Sequence, residues 1–275
     1  MKISNELIRS VNGKRPIFTV TAGRTGTTYV TRLFSLMPNT QAVHETPPNF
    51  VSVMRRAQLE PRAALAFCAN VKLPHIAKVK AVRYVETSHL FCKGFLECFV
   101  KLGVVPDLLL LQRAPRKIAL SLLARNTIPA RNPMGWKYLL APCDRGVLPL
   151  DNWQLLTDYQ LCFWYALEIE RRQALYEQAW IQLAGTTFRV EVDALKDYQT
   201  FSTMAAAFGF SWDDSMEERL RLEHGAVSVK THNPNQKTVE VSPDRLREWE
   251  EEVWDIVSYS DPGLRAAIER RYAMA

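Results

Sequence analysis

The 275-residue sequence is short of the features that announce several common protein classes. It has five cysteines, Cys68, Cys92, Cys98, Cys143 and Cys162, an odd set with no CxxC pair. That pattern excludes a disulfide framework and a zinc ribbon, and it fits a reducing, cytoplasmic setting in which cysteines serve as small buried hydrophobes. No apolar run approaches the roughly 20 residues that span a bilayer, so no integral membrane segment is expected. The opening stretch MKISNELIRSVNGKRP interleaves polar and single apolar residues and lacks the apolar region of an export signal. There is no run of five or more Lys/Arg and no basic stretch interleaved with aromatics, so no nucleic-acid partner is expected. HExxH metal spacing and the GxSxG hydrolase elbow are both missing.

What remains is an ordinary folded composition, 47% hydrophobic and 23% charged, read as one domain over residues 1–275. Lys plus Arg number 35 against 29 Asp plus Glu, a formal charge of +6, which favours an anionic ligand. The charge is dispersed, and no internal repeat or linker interrupts the chain.

Residues 16–21, PIFTVT, predict a strand; AGRTGTT follows as a glycine loop, and a helix begins at Tyr29 with apolar positions 30, 33, 34 and 37 on one face. Residues 41–48 predict a short extended piece entering a proline turn. Residues 51–69 predict a helix. Leu108 to Leu111 predict a second strand, whose unbroken apolar run suits a buried parallel sheet, followed by a helix through Leu123. Residues 127–150 predict loops and short helices that shape a pocket, and residues 153–180 a long amphipathic helix. Residues 188–192 predict a strand followed by a helix through Phe208. Ser242 and Pro243 predict the cap and first turn of a helix carrying Leu246, Trp249, Val253 and Ile256. The expected class is α/β, three-layered, with a central parallel sheet flanked by helices and a P-loop-like strand-loop-helix.

That loop is suited to a polyanion. A strand running through glycines into a helix presents backbone amides and the positive end of the helix dipole to one point. Gly23 and Gly26 admit close backbone approach, Thr25, Thr27 and Thr28 add hydroxyls, and Arg24 adds a permanent cation. The NTPase pattern GxxxxGK[ST] fails because no lysine precedes Thr27, and GxGxxG fails because only Gly23 and Gly26 lie in the turn.

TAGRTGTTYVTRLFSLMP resembles the 5′-phosphosulfate loop of sulfotransferases that use 3′-phosphoadenosine 5′-phosphosulfate (PAPS). Its Arg24 resembles the arginine of the tyrosylprotein and carbohydrate branches. LLLLQRAPRKIALSLLARN resembles the family's 3′-phosphate segment, which assigns Arg113 and Ser121 to that phosphate; Arg116 and Arg125 are the alternative anion ligands. Residues 188–195 resemble a later strand-to-helix segment. Residues 228–233 resemble the late loop that closes over the nucleotide, making Lys230, His232 and Lys237 candidate contacts, although the family's glycine-rich version of that loop is missing.

The resemblance implies sulfuryl transfer from PAPS to a hydroxyl or amine on a small-molecule or carrier-bound acceptor, with no metal, and an α/β fold. Arg24 would neutralise the departing phosphate. The acceptor's proton requires a base. Glu45 matches the catalytic glutamate of the tyrosylprotein branch, and His44 is its rival. Residues 84–89, YVETSH, place Thr87 or Ser88 where related enzymes carry a lysine, leaving Lys93 as a substitute and His89 as a third base. A kinase, and a nucleotide-binding protein of the same fold that has lost turnover, are the competing readings.

Overall fold

The computed structural model describes residues 3–227 and 241–273. In chain order it forms α1 (Asn5–Gly13), β1 (Ile17–Val20), α2 (Thr27–Ser35), β2 (Thr40–Val43), α3 (Met54–Leu59), α4 (Pro61–Phe67), α5 (Leu73–Ala77), β3 (Arg83–Glu86) and α6 (Leu96–Lys101). Then follow β4 (Asp107–Gln112), α7 (Pro115–Leu123), α8 (Pro133–Tyr138), α9 (Asp158–Gln182), β5 (Thr187–Glu191), α10 (Tyr198–Ala207), α11 (Asp214–Ala226), α12 (Pro243–Ser260) and α13 (Pro262–Ala273). These elements fall into two compact units, Met1–Gln112 with Leu175–Thr231 and Arg113–Ala174 with His232–Ala275.

The first unit holds a five-stranded parallel sheet in the order β2-β3-β1-β4-β5, flanked by helices. All four residues of β1 are buried, as are Leu108 to Gln112 of β4, which is why these strands read as apolar runs. Ile17, Leu109, Leu111 and Val85 face Val30, Leu33, Phe34 and Met37 of the α2 segment, together with Phe201, Met204 and Phe208. The helical stripe at 30, 33, 34 and 37 is therefore the core face of α2. Phe18 stacks on Phe91 at 4.0 Å and meets Phe99 edge-on at 5.2 Å. Buried Ile17, Phe18 and Val20 thus fix β1 in the middle of the sheet.

The structure departs from the expected elements in three places. The single helix expected over residues 51–69 is a 3-10 turn at Phe50–Ser52, then α3 and α4, then a π turn at Cys68–Lys72. Pro61 opens α4 at its first turn, and without an N–H it cannot continue α3. The long helix begins at Asp158; Trp153–Leu155 form a 3-10 turn, separated from it by extended Leu156 (ψ 155). Strand β3 was unexpected because two of its four residues are charged. The Arg83 guanidinium is buried, donating to the Phe208 carbonyl and lying 4.5 Å over the Phe210 ring.

In the second unit, residues that precede α9 are tied to it. Trp164 donates to the Leu148 carbonyl at 3.1 Å, and the buried Glu168 carboxylate accepts from the Leu148 amide at 3.0 Å and from Arg172 at 2.6 Å. Ser242 caps α12 by accepting from the Arg245 amide at 3.2 Å, and Leu246 and Val253 are buried. Among the described residues no helix is long and apolar enough to cross a membrane.

Candidate active site

In an all-parallel sheet every strand points its carboxyl end to the same edge, and ligands bind there, where successive connections diverge to opposite sides of a strand. From β1 the chain goes first to β2 and β3 on one side and then to β4 and β5 on the other. The glycine loop leaves β1 at that edge.

Gly23, Arg24 and Gly26 all adopt left-handed backbone, with φ of 79°, 60° and 77°. Two of these positions accept only glycine for a second reason. A Cβ on Gly23 would lie 3.1 Å from the His89 ring, and one on Gly26 would lie 2.6 Å from a Val192 methyl. Gly26 is the N-cap of α2 and brings no side-chain acceptor to the first-turn amides. Those amides and the helix dipole are consequently available to an anion. Thr25 is buried and shares a 2.5 Å hydrogen bond with Thr21 across the loop, so its hydroxyl staples the turn. Thr27 is also buried, and its carbonyl accepts from Thr31 at 2.9 Å; Thr28 is exposed and Arg24 half-buried.

The second half of the site comes from β2 and β3. Their register sets Val43 beside Glu86, and the Thr87 amide donates to the Val43 carbonyl at 3.0 Å. Residues 44–45 and 87–89 therefore emerge side by side. His44 Nδ1–H donates to the Thr87 carbonyl at 2.7 Å, which leaves Nε2 as the acceptor nitrogen of the neutral ring. Thr87 Oγ1 is 2.6 Å from Thr31 Oγ1 and 3.2 Å from His44. Glu45 is held in left-handed backbone, φ 50°, and its Oε1 lies 3.4 Å from both Ser88 Oγ and His89 Nε2. Lys93 Nζ is 2.9 Å from His89 Nδ1. Burial pushes the His89 imidazole well below its usual pKa, and the Lys93, His44 and Arg24 charges push it further down.

A buried support beneath these residues went unread in the sequence. Lys72 pairs with Glu86 at 2.6 Å and donates to the Pro48 carbonyl at 2.8 Å, while Tyr84 donates to the same Glu86 oxygen at 2.6 Å. The pair ties the proline turn after Glu45 to the end of β3. Its signal was present only as charges in a segment without periodicity. Burial raises the Glu86 pKa, opposed by the Lys72 charge and the two hydrogen bonds.

In the second unit, Arg113 directly follows β4, and its carbonyl accepts from the Tyr272 hydroxyl at 3.1 Å. Ser121 is buried in the second turn of α7, which begins at Pro115. Arg116 makes a two-point contact with Glu250, 2.8 Å and 2.5 Å, and is thereby committed to a carboxylate. Arg125 is exposed. Lys230, His232 and Lys237 lie outside the described residues.

No protein-family model and no curated protein matches the sequence. Among solved structures, mouse sulfotransferase SULT7A1 complexed with PAP is similar over 97% of this chain and 94% of that one, with a TM-score of 0.51 at 13% identity. The molecule has a sulfotransferase-like α/β fold.

Proposed function

We propose that the chain, acting as one functional domain, is a sulfotransferase that moves a sulfuryl group from PAPS to a hydroxyl or amine of a small-molecule or carrier-bound acceptor. The observation that carries the reading is the meeting of a left-handed, glycine-containing anion loop with a carboxylate, Glu45, and a buried imidazole, His89, from two neighbouring strand ends. The solved neighbour with this fold carries PAP, the product that such a transfer leaves.

In this reading the loop amides, Arg24 and the hydroxyls of Thr25, Thr27 and Thr28 hold the phosphosulfate. Arg113 grips the 3′-phosphate with its planar fork and Ser121 adds a hydroxyl; Lys230 and His232 are further contacts. Glu45 takes the acceptor's proton as the acceptor atom bonds to sulfur and the sulfur–oxygen bond to the 5′-phosphate breaks. Arg24 neutralises the charge left on that phosphate. His44 is the alternative base through Nε2. A second reading is a nucleotide-binding protein without turnover, favoured by Thr87, which stands where related enzymes carry lysine and spends its hydroxyl on Thr31 and His44.

The test is thermal unfolding with PAP, AMP, ADP and ATP, followed by sulfate transfer from PAPS to a panel of phenols, alcohols and amines. PAP at one hundred times its Kd stabilises by about 2.7 kcal/mol, and AMP does so less at the same concentration. Glu45→Gln keeps that stabilisation and loses transfer by about 10²–10⁴-fold. Preference for ATP with magnesium would overturn the reading in favour of a kinase. PAP binding with no transfer to any acceptor would favour the second reading.

A further inference from the structure

Besides His44, two candidate bases, Glu45 and His89, lie 3.4 Å apart, and the buried Lys93 stands on the far side of the His89 ring. Lys93 is fully buried, one helical turn's length beyond His89 in the sequence, in the segment that follows β3. Its Nζ lies 2.9 Å from His89 Nδ1. An ammonium has three donors and no acceptor, so the nitrogen facing it must be the one without a proton. A neutral imidazole carries a single N–H, which then sits on Nε2, the atom that faces Glu45 Oε1. A ring so arranged has no lone pair left toward the acceptor side. Its Nε2–H side lies 3.4 Å from the Glu45 carboxylate, and such a ring does not serve as the base.

The geometry points to Lys93 as a positioning residue that locks His89 in the Nε2–H tautomer, so that His89 and Ser88 together aim Glu45 as the base. Ser88 contributes the second donor to the same oxygen, at 3.4 Å. Both donors converge on Oε1, leaving Oε2 as the oxygen to take a proton. The close packing of His89 against Gly23 holds the ring in place, since even a Cβ at Gly23 would come within 3.1 Å of it. The remaining charges near the ring, Arg24 and His44, oppose its protonation as Lys93 does. The inference deepens the sulfotransferase reading, on which its catalytic half rests.

Two measurements on the full chain test it, and the first needs no activity. In the protein labelled with ¹⁵N-histidine, long-range ¹H–¹⁵N spectra at neutral pH should show a His89 ring with a protonated Nε2 and an unprotonated Nδ1, assigned by its loss in His89→Gln. A protonated Nδ1, or an imidazolium, would overturn the lock. Lys93→Met should abolish the fixed tautomer; a variant that folds and keeps it would overturn the role of Lys93. The second measurement compares His89→Gln with His89→Leu in sulfate transfer. Glutamine keeps an N–H donor and should retain transfer within about tenfold, while leucine should lose a further ten- to hundredfold. Glutamine as inactive as leucine would make His89 the base. If the tautomer is Nε2–H while PAP neither binds nor is formed, the lock stands and the sulfotransferase reading fails.

Discussion

Two turns of the same general form, strand to loop to helix, are built in opposite ways. The turn after β1 spends three residues in left-handed backbone and delivers a helix whose N-cap, Gly26, has no side chain. The turn after β4 contains no glycine: Arg113 and Ala114 lead straight into Pro115, which has no amide hydrogen to offer. The first turn therefore exposes backbone amides and tolerates little change at its glycines. The second offers a side chain, Arg113. On the sulfotransferase reading the first grips by shape and the other by charge.

The largest effect expected from breaking this contrast is at Gly26. Gly26→Ala forces a Cβ into left-handed backbone and against Val192, and should cost about 1–3 kcal/mol of stability and abolish PAP stabilisation. Urea unfolding with and without PAP measures both. Adding Val192→Ala should recover only the part due to the clash. Arg113→Ala should remove the preference for PAP over AMP, a loss of about 1.5–3 kcal/mol in calorimetric binding. Arg113→Lys should restore it only partly, because a point charge does not replace a fork.

A pH experiment sharpens the first turn further, since Gly23 is packed on a histidine. His89 has a folded pKa well below its unfolded value, owing to burial first and then to Lys93. Below about pH 6.5 the unfolded chain binds a proton that folded His89 refuses, so stability present above that pH is lost as pH falls, by at most about 1.4 kcal/mol per pH unit. The slope of unfolding free energy against pH should flatten in His89→Gln. The smallest effect is reserved for the second turn. Pro115→Ala should change stability by less than about 1 kcal/mol and leave PAP binding unaltered, because no amide there is engaged.

The regions that were legible in the sequence are those where one physical signal dominates. β1 and the Leu108–Leu111 run of β4 are buried on both faces and so are predominantly apolar, and the glycine loop lies directly between a strand and the helix stripe it feeds. Ser242 and Pro243 marked the start of α12 through a cap that the structure contains. β3 was hidden because Arg83 and Glu86 are buried by partners from elsewhere, Phe208 and Phe210 for one and Lys72 for the other. The grouping of Glu45, Ser88, His89 and Lys93 was likewise beyond local pattern. Ser88, His89 and Lys93 share one stretch of sequence, and the register of β2 on β3 brings Glu45 to them.

The place of β1 in the sheet has a consequence for how the molecule is made. Its two neighbours, β3 and β4, come far later in the chain, and the last residue packed on the glycine loop, Val192, comes later still. The glycine loop therefore takes its final shape only when segments distant in sequence have packed around it. Pairings so distant in sequence form slowly, and until they form the loop has no fixed shape with which to hold an anion. On the sulfotransferase reading, bisphosphate binding during refolding reports when these distant pairings are in place.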